Sequence, residues 1–325
     1  YFCGETSFVA GVPCEASELV HFRKRIGETG IELILKESIR INGDDSNDSN
    51  VNIDTTVQEK NITFPTDAKL HKKIIDKCKR IADNEGISLR QSYTRTLKKL
   101  SVDQRFRNHP KNKAKAKKAD KKVKTIAGRM VREIERNLAP RSIYQIDLDL
   151  FKRILAQTKQ SINKIYSLHE PDVCCISKGK EHKKYEFGNK ASIVKTDTGV
   201  IVGALGFRNE YDGHTLEPAL EQVLRLTGQL PKKAKVDRGY RGKKQIGQTE
   251  IMIPSTPKKS DTYYQRNKIS KAHKKRAAIE PIIGHIKADH RLNRNFYKGI
   301  VGDNINIMLA AAAFNFKRMM NKWTS

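Results

Sequence analysis

"VNIDTTVQEKNITFPTD", residues 51 to 67, is the stretch on which the fold turns. Val51, Ile53, Thr55 and Val57 alternate with polar residues, which is the two-residue period of a β-strand. Asp54 sits in the middle of that strand, where an acid facing the core is costly unless it is paired or bound to a cation. Facing solvent, it would imply nothing. Beyond it the pattern changes, because residues 68–165 are Lys-rich, nearly free of strand-forming runs and patterned like helices. The first strand is therefore expected to open into a long, basic helical insertion.

Downstream the strands resume. "VCCIS" (173–177), "YEFGNKASIVK" (185–195), a "TDTG" turn and "VIVGALGF" (200–207) read as strands, the last two as an antiparallel hairpin. "HTLEPALEQVLRLTG" follows as a helix with Leu216, Leu220, Val223 and Leu224 on one stripe and Gly228 as its stop. "AKVD" is a short strand ending at Asp237, "RGYRG" turns, and "EIMIP" is another strand. A helix is expected from near Ser270, and "NINIMLAAAAFNFKRMMNKW" closes the chain as a packing helix. The order predicts a mixed α/β sheet with helices on its faces, without internal repeats.

Upstream, Leu19, Phe22, Ile26, Ile31, Ile34 and Leu35 fall at helical spacings, so two amphipathic helices are expected around Gly27 to Gly30. "GDDSNDSN" (43–50) reads as a loop. Tyr1 stands where a full reading frame has Met, and the sequence is read as starting partway into a longer one.

With 325 residues and 37% hydrophobic content the chain can bury a real core, as one large domain with an insertion or as two domains. Its 64 Lys and Arg against 36 Asp and Glu give a formal charge of +28, which points to a polyanionic partner, nucleic acid first. Charge alone names no reaction, and an ordinary basic enzyme would share it. In "KNKAKAKKADKKVK" (111–124), eight lysines accompany one aspartate on a helix-favouring background; a solvated face and direct phosphate contact both fit. Five cysteines (Cys3, Cys14, Cys78, Cys174, Cys175) without C-x-x-C imply neither zinc nor a disulfide framework, and reduced thiols in a cytosol are expected. The longest apolar run, "INIMLAAAAFNF", is well short of the roughly 20 residues of a membrane helix.

Asp237 and Glu280 join Asp54 as candidate acids. Asp237 ends a strand before Gly239, at the carboxyl edge where ligands gather in open α/β sheets, though a turn aspartate would also stand there. In "HKKRAAIEPIIGHIK" (273–287), Ile279, Ile282, Ile283 and Ile286 share a helix face, while Arg276, Glu280 and Lys287 form a stripe at its border. That stripe suits a metal ligand flanked by cations that hold phosphate oxygens; an Arg and Glu surface pair is the plain alternative. Pro281 in the first helical turn would shorten the stripe. Divalent ions for phosphoryl transfer need two or three such carboxylates.

"NIDTTVQEKNITFPTD", "NEYDGHTLEPALEQ", "VDRGYRG" and "RAAIEPIIGHIKADHRLNRN" resemble the DDE transposases of bacterial insertion sequences, specifically the insertion-sequence five group. The resemblance runs from "FRKRIG" (22–27) to "AAAAFNFKR" (310–318). It implies a ribonuclease H-like catalytic domain, with Asp54 on the first strand, Asp237 after the fourth and Glu280 on a late helix as catalytic and metal-binding acids for two Mg²⁺ ions, for which Mn²⁺ can substitute. Arg276, Glu280 and Lys287 match a family signature with three and six intervening residues, but its Tyr position holds His273, which puts that auxiliary contact in doubt.

By the same resemblance the chain would cleave at its element's terminal inverted repeats and join the freed 3′ hydroxyl to target DNA by direct transesterification. Arg276 and Lys287 would clamp the terminal phosphate, with Arg238 and Arg241 as weaker backbone contacts. Asp212 and His214, before a helix, are auxiliary candidates, although turn formation and capping by Asp212 or Thr215 explain them without chemistry. The implied organisation is a DNA-binding end over 1–50, catalytic segments over 51–67 and 166–325, and the insertion over 68–165. A homodimer or higher multimer on paired DNA ends, in the bacterial cytosol at the nucleoid and without a membrane, is expected. The rivals are a ribonuclease H-like nuclease that cuts without joining, and a decayed, non-catalytic DNA binder.

Overall fold

A computed structural model of the chain describes residues 11, 14–139, 142–177, 184–208 and 210–323. Cys3 and Asn209 of the stretches above lie outside them. The chain divides into two compact units, one built from residues up to Asn61 and from Ile176 onward, the other from Ile62–Cys175.

The first unit opens with α1 (Ala16–Arg40), which bends at Gly27, where φ is +61°. Only glycine takes that conformation without strain, so the expected pair of helices is present as one kinked element. Its second half puts Ile31, Leu35 and Ile39 into the core, whereas Leu19 and Phe22 of the first half are exposed. β1 (Asn50–Lys60) pairs antiparallel with β3 (Tyr185–Thr196), which pairs antiparallel with β4 (Ile201–Phe207). On the other side β1 runs parallel to β5 (Lys233–Lys235), and β5 parallel to β7 (Thr249–Met252). The short strands β2 (Cys174–Ser177), β6 (Gln245–Ile246) and β8 (Arg294–Asn295) attach to β3, β7 and β1. The result is the mixed sheet of a ribonuclease H-like domain, flanked by α6 (Leu216–Thr227), α8 (Ile279–Asp289) and α9 (Gly299–Trp323). α7 (Tyr263–Ala277) precedes α8 and buries no residue.

β1 is central and buried on both faces. Val51, Ile53 and Val57 supply the apolar face, while Asn52, Gln58 and Lys60 of the other face are equally buried. A polar group out of water must be partnered, and here each of two finds one. Lys60 pairs with buried Asp303 of α9 and donates to the Tyr297 carbonyl at 2.7 Å, and Asn52 donates to Asp197 at 2.9 Å. The alternation in sequence was therefore one of apolar with buried polar, not of inside with outside.

β4 pairs with no second strand among the described residues, which leaves outward amides along its free edge. Carboxamides from the flanking helices take them: Asn315 accepts from Ile201 N at 2.9 Å, Gln222 from Ala204 N at 2.7 Å, and Asn304 from Gly206 N at 2.9 Å. Covering an edge in this way blocks strand addition by another chain. On α6, Leu216, Ala219, Leu220, Val223 and Leu226 are buried and Leu224 is exposed, so Leu226 takes the core position expected of Leu224. Gly228 closes the helix at φ +80°, as its sequence position predicts.

The second unit holds α2 (Asp67–Glu85), α3 (Thr94–Asp103), α4 (Pro110–Asn137) and α5 (Gln145–Ala156). It has its own core, in which Ile74 and Cys78 of α2 meet Ile126 and Met130 of α4 and Phe151 of α5. Burial pushes the Cys78 thiol up to about 12, so this cysteine packs as a small apolar group. No disulfide links the described cysteines.

Candidate active site

Parallel pairing brings the first two acids together. Asn52 of β1 and Lys235 of β5 are register partners, so Asp54 and Asp237, each two residues further on, emerge at the same edge of neighbouring strands. Strands so paired lie about 4.8 Å apart. Asp237 is fixed by its own turn, Arg238–Tyr240, where its Oδ1 accepts the Gly239 amide at 2.7 Å. Asp54 Oδ1 accepts the Thr55 amide at 2.8 Å.

Glu280 comes from α8, and here the geometry differs from the expectation. α7 begins at Tyr263, not near Ser270, with a Thr262 and Gln265 capping box as its start signal. It ends at Ala277, and Ala278 separates it from α8. Pro281, in the first turn of α8, cannot donate to the carbonyl four residues back and its ring crowds that carbonyl, so one helix cannot run through. Arg276 and Glu280 therefore stand on two helices instead of one stripe, and Glu280 is exposed, with 60% of its side chain open to solvent.

Arg276 nevertheless joins all three acids. Its Nη2 donates to Asp54 Oδ2 at 3.0 Å and lies 3.9 Å from Asp237 Oδ2, while its Nη1 donates to Glu280 Oε1 at 3.1 Å. The surface pair of Arg276 and Glu280 is real, but the same guanidinium reaches the sheet edge. Three carboxylates from β1, the end of β5 and α8 thus converge on one cation.

A fourth acid lies beside them. Asp212 accepts from Thr55 Oγ1 and Lys190 Nζ, each at 2.9 Å, and makes no side-chain cap. Thr215 also caps nothing with its side chain, and its hydroxyl donates to the Asp212 carbonyl at 2.8 Å. The capping explanation of these residues is thereby replaced: "YDGHT" turns the backbone so that the Asp212 carboxylate faces β1. A Cβ on Gly239 would sit 2.9 Å from Asp237 Oδ1 and 3.3 Å from Asp212 Oδ2, so glycine is what lets both carboxylates close on this turn. Beneath it Tyr240 is 1% exposed, and burial first, then the charges of Asp54 and Asp212, hold its phenol above the usual range and keep it protonated.

The other candidates are more scattered. Arg238 and Arg241 flank Asp237 and are exposed, without an ion pair among the described residues. Lys287 is half-buried on α8. His273 Nε2 meets the Ser255 carbonyl at 3.0 Å, so it ties α7 to the loop after β7. His214 packs edge-on against Tyr211, with ring centroids 5.9 Å apart.

Hard divalent cations take carboxylate oxygens, and the convergence of three acids on one guanidinium fits that chemistry. Among the described residues no three His, Cys, Asp or Glu are grouped as a ready-made metal site, and Arg276 lies between the acids. No described helix is long and apolar enough to cross a membrane.

Comparison with known proteins points to one family over the C-terminal part of the chain. The family described as "Transposase DDE domain" matches residues 155–316, which include Asp237 and Glu280 but not Asp54. An uncharacterized protein, ORF8 in the nfe locus of Rhizobium meliloti, is 42% identical over 114 residues, or 34% of this chain and 55% of that protein. The chain thus spans about half the length of this curated relative. No solved structure matches. Through residues 155–316, just under half of its length, the chain is similar to the transposase DDE-domain family.

Proposed function

We propose that the chain is a DNA transposase that cleaves at the ends of its own insertion element and joins them to target DNA, with Asp54, Asp237 and Glu280 as its acids. The observation that carries this reading is the single guanidinium of Arg276 within reach of all three carboxylates, which come from separate elements. Two divalent ions, Mg²⁺ or Mn²⁺, would be held by these acids, and when bound they supply an activated oxygen nucleophile and stabilise the leaving oxygen.

The chain's own residues do the rest. In cleavage, water oxygen bonds to phosphorus as the bond to the 3′ oxygen breaks, leaving a 3′ hydroxyl. In joining, that hydroxyl attacks a target phosphodiester, and the displaced 3′ oxygen carries away a proton. Arg276, released from the acids by a cation of higher charge, would turn to a non-bridging phosphate oxygen, with Lys287 beside it. Arg238 and Arg241, exposed at the site's rim, would meet the DNA backbone. Asp212, braced by Lys190, would hold Thr55 and the Gly239 turn in register. Residues 51–67 and 166–325 would form the catalytic domain, 68–165 its insertion and 1–50 a DNA-binding segment whose helix packs Ile31, Leu35 and Ile39 into the catalytic core. Paired element ends would call for two or more copies.

The test is strand transfer with purified protein, a labelled duplex bearing the element's own end, supercoiled target and Mg²⁺ or Mn²⁺. Metal-dependent joined product is expected, abolished by Asp237→Asn and by Glu280→Gln. Cutting without joining would reassign the chain as a nuclease. A non-catalytic DNA binder is the second reading, favoured by the formal charge of +28, which needs no catalytic acids; it predicts binding with neither cutting nor joining.

A further inference from the structure

The eight lysines of residues 111–124 do not form one uniform face. At about 100° per residue, Lys113, Lys117, Lys121 and Lys124 fall within an arc of about 80° on α4, and Lys111, Lys115, Lys118 and Lys122 fall on another arc. Ala116, Ala119, Val123 and Ile126 occupy the remaining side and are buried, Val123 and Ile126 in the helical unit's core. The first four lysines all line a cleft of about 810 Å³ within that unit, and none of the second four does.

The cleft is cationic beyond this stripe. Arg107, Lys159 and Lys164 complete seven cations against two acids, Asp67 and Asp120. Both acids are already engaged, Asp120 by Arg107 at 2.9 Å and Asp67 by Lys164 at 3.6 Å. Lys113, Lys117, Lys121, Lys124 and Lys159 have no acid partner among the described residues. Like charges at such spacing repel and destabilise a helix unless an anion is brought to them. A concave wall of one sign also focuses the field on whatever enters.

A second, independent feature lies in the same cleft. His71 of α2 lines it and is 5% exposed, and its Nδ1 is buried with no hydrogen-bond partner. Buried polar atoms in folded proteins are almost always partnered, and this orphan belongs to a residue that lines the cationic cleft.

We infer that this cleft is a binding site for the sugar-phosphate backbone of duplex DNA, separate from the acids of the sheet. It rests on the reading of the chain as a DNA-handling protein but not on its catalytic acids. Lys113, Lys117, Lys121 and Lys124 track successive phosphates as point charges, with His71 in the wall behind them. Contacts of this kind carry affinity and position without reading base sequence.

Two variants of the full chain with equal charge change separate a site from general electrostatics. One replaces Lys113, Lys117, Lys121 and Lys124 by Ala, the other Lys111, Lys115, Lys118 and Lys122 by Ala. Each is read by the affinity for a 30-base-pair duplex of arbitrary sequence at several salt concentrations. Every phosphate contact contributes about 0.9 to the slope of log affinity on log salt, so the first variant is expected to lose about two to four from that slope and bind about tenfold or more weaker. The second is expected to stay near wild type. Equal losses in both variants, or no loss in the first, would overturn the site. If joining fails in the strand-transfer assay while the first variant alone loses affinity, the catalytic reading falls and the cleft stands.

Discussion

Arg276 Nη2 donates to Asp54 Oδ2 at 3.0 Å, tying the last turn of α7 to the middle of β1 across 222 residues of sequence. An arginine in that place neutralises acids that would otherwise repel one another at a sheet edge. It also holds them where a divalent cation would have to displace it. The clasp therefore predicts opposed effects of the arginine and of metal.

Arg276→Gln removes the charge that the acids share. Leaving a half-buried carboxylate without its charged donor costs about 1–3 kcal/mol, so the variant's melting temperature in EDTA is expected to fall below that of wild type. Adding millimolar MgCl₂ is expected to raise it more in the variant than in wild type, because binding to the folded state stabilises it and no guanidinium competes. Equal shifts in the two proteins would mean that the acids do not share a cation site.

Gly239→Ala tests the packing of the second acid. A methyl group there would lie 2.9 Å from Asp237 Oδ1, which must move to admit it. Misplacement of reacting groups by about 1 Å can cost about 10²-fold in rate. Single-turnover cleavage of an element-end duplex is expected to slow by that order, with affinity for the duplex unchanged. Cleavage at the wild-type rate would show that the turn does not position a reacting group.

Much of this arrangement was legible before any coordinates. The alternation around Asp54, the strand ending at Asp237 and Gly27 between two helical patterns were all local signals. The chain order of strands and helices followed from their patterns, whereas the sheet order, with β1 between β3 and β5, did not. What escaped were features set by distant partners. Nothing near Asp212 announces Thr55 and Lys190, so "YDGHT" read as a turn with a cap. Arg276 read as a phosphate clamp beside Glu280, with a surface pair as the plain alternative, and its reach to Asp54 had no local signal. The start of α7 was missed since it buries nothing and shows no apolar period, yet "TYYQ" at 262–265 carried a capping-box signal that marked it. Pro281 gave fair warning of the break before α8.

The carboxamides along β4 were equally invisible, and they make a stability prediction. Asn315 both accepts from Ile201 N and donates to Ile201 O at 2.8 Å, and Gln222 does the same for Ala204, with the return bond at 3.2 Å. Gln222→Leu keeps the bulk but orphans two buried backbone groups, each costing about 1–3 kcal/mol. The urea midpoint is expected to fall accordingly, and Asn315→Leu to fall as far or further because it also loses Ser38. A midpoint unchanged in both would mean that water or repacking satisfies the edge.

His71 predicts how stability depends on pH. Burial is the main force that lowers its pKa from the ordinary 6.5, with Lys124 adding to it and Asp67 and Asp120 opposing. The folded chain therefore disfavours the protonated ring, and the unfolded chain binds the proton more readily. Stability rises with pH wherever the unfolded state holds more protons, so this contribution is complete above the unfolded pKa of about 6.5 and is lost as pH falls from there toward the lowered folded value. Urea midpoints taken from about pH 8 to about pH 5.5, above the range of most carboxylates, are expected to decline in wild type and to decline less in His71→Gln. Duplex DNA in the cleft would bring phosphate to the ring, favour its charged form and flatten the wild-type decline. Parallel curves for the two proteins would show that His71 is not the group that titrates.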